Sequence, residues 1–115
     1  MRAVAHVVLN RRDHPGWWGG TVEDVCLKPW QFSCWNENDP NRVKLLAVGP
    51  GDASFALALG IAGQLVRMAT SERVRADTTG GATHYYARSI QAPAWAARAT
   101  FTVRIGNHLF YRDVA

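Results

Sequence analysis

Apolar residues recur at helical spacing over residues 1–11, where Val4, Val7 and Val8 lie on one face of a predicted helix. The sequence Asp-His-Pro-Gly at 13–16 consists of turn-forming residues, so we expect the helix to end there. The apolar run is short and ends in two arginines, a pattern unlike the apolar centre of an export signal. The start of the chain therefore predicts an amphipathic helix and no export signal.

Two shorter helices are expected on either side of a polar and aromatic loop. Thr21 and Asp24 form a Thr-x-x-Asp helix start, which predicts a short helix that ends just before Pro29. Residues 30–40 mix aromatic and polar side chains without a period, which favours a loop. Residues 41–48 favour a second short helix, because the sequence Gly-Pro-Gly follows them and closes it.

The longest apolar segment runs from Phe55 to Ala69 and predicts the main helix, with Asp52 or Ser54 as its N-cap. Apolar residues cover nearly its whole circumference, so we expect it to be the central buried helix. The segment also contains Arg67 and is too short to cross a bilayer. The pattern thus predicts no membrane partner.

The last third of the chain changes to strand character. A turn rich in Gly and Thr occupies 77–82, and the alternating residues 83–87 predict a strand. Residues 101–111 predict a β-hairpin that bends at Gly106-Asn107, and Trp95 falls in a loop before it. We therefore predict an α+β fold that is mainly helical, with a small antiparallel sheet near the C-terminus.

Composition and charge narrow the possible partners. The chain has 115 residues, which predicts a single domain over 1–115, and 13 Lys and Arg against 9 Asp and Glu give a net charge of +4. This basic excess suits an anionic polymer such as nucleic acid, a membrane surface or an acidic cell wall. Arg67, Arg73 and Arg75 lie near one another at what we expect to be a solvated helix end, but the arginines do not form one stripe, which argues against nucleic acid.

Three stretches of the chain form an ordered set of motifs. They read Ala-Val-Ala-His-Val-Val-Leu-Asn-Arg at 3–11 with Gln-Phe-Ser-Cys-Trp at 31–35, Thr-Gly-Gly-Ala-Thr-His-Tyr-Tyr-Ala at 79–87, and Ile-Gly-Asn-His-Leu-Phe-Tyr at 105–111. This set resembles the cell wall hydrolase family of the spore cortex-lytic enzyme type. The motifs span almost the whole chain in the family's order, so the resemblance rests on their combination.

The resemblance implies a lysozyme-like α+β fold and peptidoglycan as the partner. It implies cleavage of glycan strands, as a lytic transglycosylase or a muramidase-like hydrolase, acting at the cell wall or in the periplasm. Relatives in phages extend the expected partners to phage tail or particle proteins. The family's essential glutamate lies in a segment that precedes the position of Met1, so we expect either a start at an internal Met or a loss of this acid. The 115 residues should then show little turnover.

Glycosidic cleavage needs a carboxylic acid that protonates the leaving oxygen. Glu37 is a candidate because it lies in the aromatic loop, whereas Glu23 and Asp24 fit a helix start. Aromatic rings stack on sugars and polar groups bind their hydroxyls. The candidate substrate-binding residues are Gln31, Phe32, Ser33 and Trp35 on the loop, and His84, Tyr85 and Tyr86 on the strand, which would form opposite walls of a groove. A core role for Phe32, Trp35 and Tyr86 remains the alternative.

The remaining candidate chemistry is sparse. Cys26 and Cys34 are close enough in sequence for a disulfide, and two buried thiols are the alternative. The four histidines are scattered without zinc-like spacing, so we predict no metal and no cofactor. The competing function is a non-catalytic peptidoglycan-binding or structural module, for example in a phage or phage-like tail, that retains the fold without the acid.

Overall fold

The structure, a computed structural model, describes residues 1–29, 31–32, 35–49 and 51–114. The helices and strands follow one another in an α-then-β order. Their bounds are α1 Arg2–Asp13, α2 Val22–Leu27, α3 Asn41–Ala47, α4 Ala53–Arg67, α5 Thr70–Ala76, β1 His84–Ala87, a 3₁₀ helix Ala94–Arg98, β2 Thr100–Ile105 and β3 His108–Arg112. The α+β fold with a small antiparallel sheet near the C-terminus is therefore confirmed.

Two helices begin at the caps that the sequence indicates. The Thr21 hydroxyl accepts a hydrogen bond from the Asp24 backbone N–H at the start of α2. An Asp52 carboxylate oxygen accepts one from the Phe55 N–H at 2.9 Å, which settles the cap of α4 in favour of Asp52. Each cap satisfies a backbone donor that a helix start leaves without a partner. The predicted helix starts are thus confirmed, although Trp95 lies in a 3₁₀ helix instead of a loop.

The sheet has the strand order β1-β3-β2, with both pairs antiparallel. The hairpin between β2 and β3 turns at Gly106, whose φ of 58° lies in the left-handed region that glycine adopts readily. A bulge interrupts the β2–β3 register between Phe101 and Val103. The predicted hairpin is confirmed, and β3 lies at the centre of the sheet.

The buried core lies between α1 and the inner face of the sheet. Val7, Ala82 and Phe110 form its centre, and Tyr85 and Val103 pack against them. These contacts confirm that α1 presents its apolar face to the core. They also fix β1 and β3 against α1, because Ala82 precedes β1 and Phe110 lies in the middle of β3.

The prediction that α4 is the central buried helix is wrong. Leu65 is its buried residue, at 1% exposure, whereas Leu57 and Leu59 are about 60% exposed. In the described part of the chain α4 packs mainly against α1, which covers only one side of it. The apolar residues around α4 therefore predicted the helix correctly, but they did not determine how much of its surface other elements bury.

A second prediction is corrected at α5, where Arg73 was expected at a solvated helix end. Its side chain is 1% exposed. Its Nη2 donates to Asn10 Oδ1 at 2.9 Å and to Asp13 Oδ2 at 2.8 Å, and its Nη1 lies 3.3 Å from His6 Nδ1. These partners lie at i, i+4 and i+7 on α1, so a single face of α1 receives the arginine.

The Arg73 cluster extends to the turn before β1 through Asp77. Asn10 Nδ2 donates to Asp77 Oδ2 at 2.9 Å and to the Ala82 carbonyl at 2.8 Å. The same carboxylate accepts from the Thr79 hydroxyl and from the N–H groups of Thr79 and Gly81. Burial raises the pKa of Asp77, but these hydrogen bonds outweigh it and hold the pKa below its ordinary value. The anion thus fixes the turn that positions β1.

Candidate functional site

The three predicted site residues on β1 point to two different faces of the sheet, because side chains alternate along a strand. Tyr85 lies on the core face, where its ring stacks on Phe110 with centroids 5.6 Å apart. His84 and Tyr86 lie on the outer face and contact Trp95 at 5.1 and 5.9 Å. The structure therefore does not bring the three side chains to a single wall.

The outer face carries a chain of contacting aromatic rings. His84 lies within about 6 Å of Trp17 and Trp18, and Tyr86 stacks on Tyr111 with centroids 5.7 Å apart. Burial, together with the charge of Arg11, lowers the pKa of His84 to about 4. The imidazole is therefore neutral at neutral pH, and its Nδ1 lies 3.0 Å from the Thr83 hydroxyl.

Arg11 connects the start of β1 to the aromatic loop. Its Nε donates to the Thr83 carbonyl, and its Nη1 donates to Gln31 Oε1 at 3.4 Å. The guanidinium carbon lies 5.5 Å from the Trp18 ring and 6.0 Å from the Phe32 ring. Two of the predicted loop residues, Gln31 and Phe32, are thus half-buried against a cation that lies on α1.

The other predicted loop residue that is described, Trp35, lines an open depression. It is 38% exposed and lines a concavity of about 450 Å³ together with Leu27, Lys28 and Glu37. Glu37 is exposed to water. Ser33 lies outside the described residues. Glu37 and Trp35 therefore line the same depression, whereas Tyr85 does not line it.

Two further depressions neighbour the first. The second, of about 420 Å³, shares the segment 27–29 with the first and is lined by Trp17, Trp18 and Asp24. The third, of about 410 Å³, shares Trp18 with the second and adds wall residues from other elements: His14, Pro15, Gly80, Gly81, Thr83, Arg112, Asp113 and Val114. Each depression shares wall residues with the next, so the three depressions are adjacent in series.

A smaller apolar cavity of about 160 Å³ lies between α1, α2 and α4. Cys26 lines it with Val8, Leu65 and other aliphatic side chains. Burial raises the pKa of the Cys26 thiol, so the thiol is protonated and weakly nucleophilic at neutral pH. Cys34 lies outside the described residues, and the disulfide between the two stays a prediction.

Two absences concern only the described residues. These contain no group of three histidine, cysteine or acidic side chains arranged to hold a metal ion. They also contain no helix that is long and apolar enough to cross a membrane.

The fold and the depressions define a small α+β protein with a shallow groove, formed by the three adjacent depressions, whose walls contain Trp17, Trp18 and Trp35. A family model described as cell wall hydrolase matches residues 1–111. The chain therefore belongs to the cell wall hydrolase family, whose general activity is hydrolysis of peptidoglycan at the cell wall. No curated protein and no solved structure matches it.

Sequence reasoning missed two features of this site. Trp17 and Trp18 are neighbours in sequence but differ in exposure, because Trp17 is 50% exposed whereas Trp18 is buried. Arg11 was noted as part of a motif, and no role was inferred for it. A signal for both existed, because a helix that ends in arginine beside a pair of tryptophans favours a cation–π contact.

Proposed function

We propose that the chain acts on the glycan strands of peptidoglycan, as a lytic transglycosylase or muramidase-like hydrolase of lysozyme-like fold, within one domain. The observation that carries the proposal is the series of three adjacent depressions whose walls contain Trp17, Trp18 and Trp35. A series of open depressions suits a linear polymer better than a small, enclosed ligand. Exposed indole rings offer flat faces for the C–H groups of sugars.

Glycosidic cleavage needs a general acid, and the carboxylates that line the groove are the candidates. Glu37 lies in the first depression, Glu23 and Asp24 lie in the second, and Asp113 lies in the third. All four are exposed to water, whereas a glycosidase acid works in apolar surroundings. Among them Glu37 is the candidate acid, because a bound glycan on Trp35 would cover it. Glu23 and Asp24 lie in the first turn of α2, where they stabilise the helix start.

The exposure of these carboxylates also favours a second candidate function. A groove that binds a glycan without a positioned acid would act as a non-catalytic wall-binding module, including one in a phage tail. Binding substrate and transition state equally well does not speed cleavage. Separate measurements of peptidoglycan binding and of turnover therefore distinguish an enzyme from a binding module.

The test combines a peptidoglycan pull-down with an assay of muropeptide release. We expect the protein to sediment with insoluble peptidoglycan at low salt, and Trp35→Ala to weaken binding about tenfold with an unchanged melting temperature. Phe101→Ala is the matched control, because Phe101 is an exposed aromatic residue that lines none of the three depressions. Equal losses in both variants, or protein that stays in the supernatant, would contradict the groove.

Turnover then decides between the two functions. If Glu37 is the acid, Glu37→Gln lowers muropeptide release by about 10²-fold or more while binding persists. If the wild-type protein binds and releases nothing, the chain is a binding module. Release that Glu37→Gln leaves unchanged would exclude Glu37 and require another acid.

A further inference from the structure

Arg11 is a buried cation that contacts neutral groups. It is 5% exposed, and none of the ion pairs among the described residues includes it. Among the described residues its partners are a carbonyl, an amide oxygen and two aromatic rings. Burying a charge without a counter-ion costs free energy. An uncharged side chain of the same size would avoid this cost, so core packing alone does not account for an arginine at this position.

The partners of Arg11 line the groove or lie in a segment whose flanking residues line it. Thr83 lines the third depression, and Trp18 lines the second and the third. Gln31 and Phe32 line none of the depressions, but they lie between Pro29 and Trp35, which both line the first. In addition, the Arg11 carbonyl accepts a hydrogen bond from Trp18 Nε1 at 2.9 Å. One residue of α1 therefore contacts each of the three segments that form the groove.

The shape of the guanidinium suits this task. Its donors are fixed in one plane, so Nε can hold the strand while Nη1 reaches the loop, and its faces are free to lie against rings. A lysine has one ammonium at the end of a flexible stem and cannot hold both directions at once. The contacts thus depend on arginine itself and not on positive charge alone.

We propose that Arg11 is a positioning residue that fixes the aromatic loop relative to β1 and the Trp17–Trp18 turn, and so sets the width of the groove. The proposal rests on the proposed function only for the ligand that the groove holds. Arg11 does not touch the ligand and acts through Gln31, Phe32 and Trp18. Its loss releases the loop first and weakens glycan binding as a consequence.

The test uses Arg11→Lys and Arg11→Met, with Arg12→Met as the matched control. Arg12 is the next residue on α1, its side chain is 27% exposed, and its ion pair is with its neighbour Asp13. Hydrogen exchange is followed by mass spectrometry in two segments, the loop at 28–38 and the hairpin at 100–112. Binding to insoluble peptidoglycan is measured in parallel.

We expect both Arg11 variants to raise exchange in the loop by about tenfold or more while the hairpin is unchanged, and to weaken peptidoglycan binding. Arg12→Met should change neither. Unchanged loop exchange, a uniform rise across both segments, or failure of both Arg11 variants to fold would overturn the proposal in favour of a general core role. If wild-type protein does not bind peptidoglycan, the proposed function fails, whereas the exchange pattern still decides the role of Arg11.

Discussion

Replacing Arg73 with methionine should destabilise the protein strongly, although sequence alone placed this residue in solvent. Methionine keeps much of the volume but removes the bonds to Asn10 and Asp13 and the contact with His6. Removing one partner of a buried ion pair costs about 3–5 kcal/mol. Asp13 is 17% exposed and regains some water, so we expect a loss near the lower limit, about 3 kcal/mol.

The loss can be read from thermal melting by circular dichroism. For a chain of this size, 1 kcal/mol shifts the melting temperature by about 3–6 °C, so Arg73→Met should lower it by about 10–20 °C. Arg75→Met is the matched control, because Arg75 lies on the same helix and is exposed; a change there should stay within about 0.5 kcal/mol.

Two results would refute the reasoning about Arg73. Similar melting temperatures for Arg73→Met and Arg75→Met would show that the buried cluster contributes little to folding. A double-mutant cycle with Asp13→Asn is the second check, because residues in one ion-pair network are coupled. Strictly additive losses would show that Arg73 and Asp13 do not interact in solution.

Two further changes test the site and the turn before α2. Burial lowers the pKa of His84 to about 4, so as pH falls the unfolded chain binds a proton at this residue before the folded protein does. The free energy of unfolding should therefore decrease by on the order of 3 kcal/mol between about pH 6.5 and pH 4. His84→Gln should flatten this pH dependence in urea unfolding, and an unchanged pH dependence would exclude His84 as its source. Gly19→Ala should lower the free energy of unfolding by about 2 kcal/mol or more, because φ at Gly19 is +106° and a Cβ there would lie 2.5 Å from the Asp24 Cβ. Gly20→Ala is the control, because a Cβ at Gly20 meets only ordinary contacts, and this variant should melt like the wild type. Equal melting temperatures of the two variants would contradict this account.

The predictions that were confirmed depend on short-range chemistry. The caps at Thr21 and Asp52 join groups three residues apart, and the hairpin depends on a turn residue that accepts a positive φ. Each of these signals is complete within a few positions of the sequence. Local patterns therefore predicted where elements begin and end, and the α+β class followed from their order.

The features that were missed depend on distant partners. Arg73 is separated from Asp13 by 60 positions, and Arg11 from Thr83 by 72. Charge patterning on α5 alone made Arg73 resemble a solvated residue, because nothing nearby in sequence could pair with it. The exposure of α4 has the same origin, since an apolar helix surface indicates that contacts are possible but not which elements provide them. Long-range pairing decided both cases.

The position of β3 between β1 and β2 has a consequence for the order in which the sheet forms. Ile105 pairs with His108 across a tight turn, whereas His84 must find Tyr111 from the far side of the 3₁₀ helix. Closing the longer loop costs more chain entropy and is slower. The β2–β3 hairpin should therefore form early, and β1 should add to its open edge last. Until then β3 exposes an unpaired edge, and this edge is where a partly folded chain would associate with another copy.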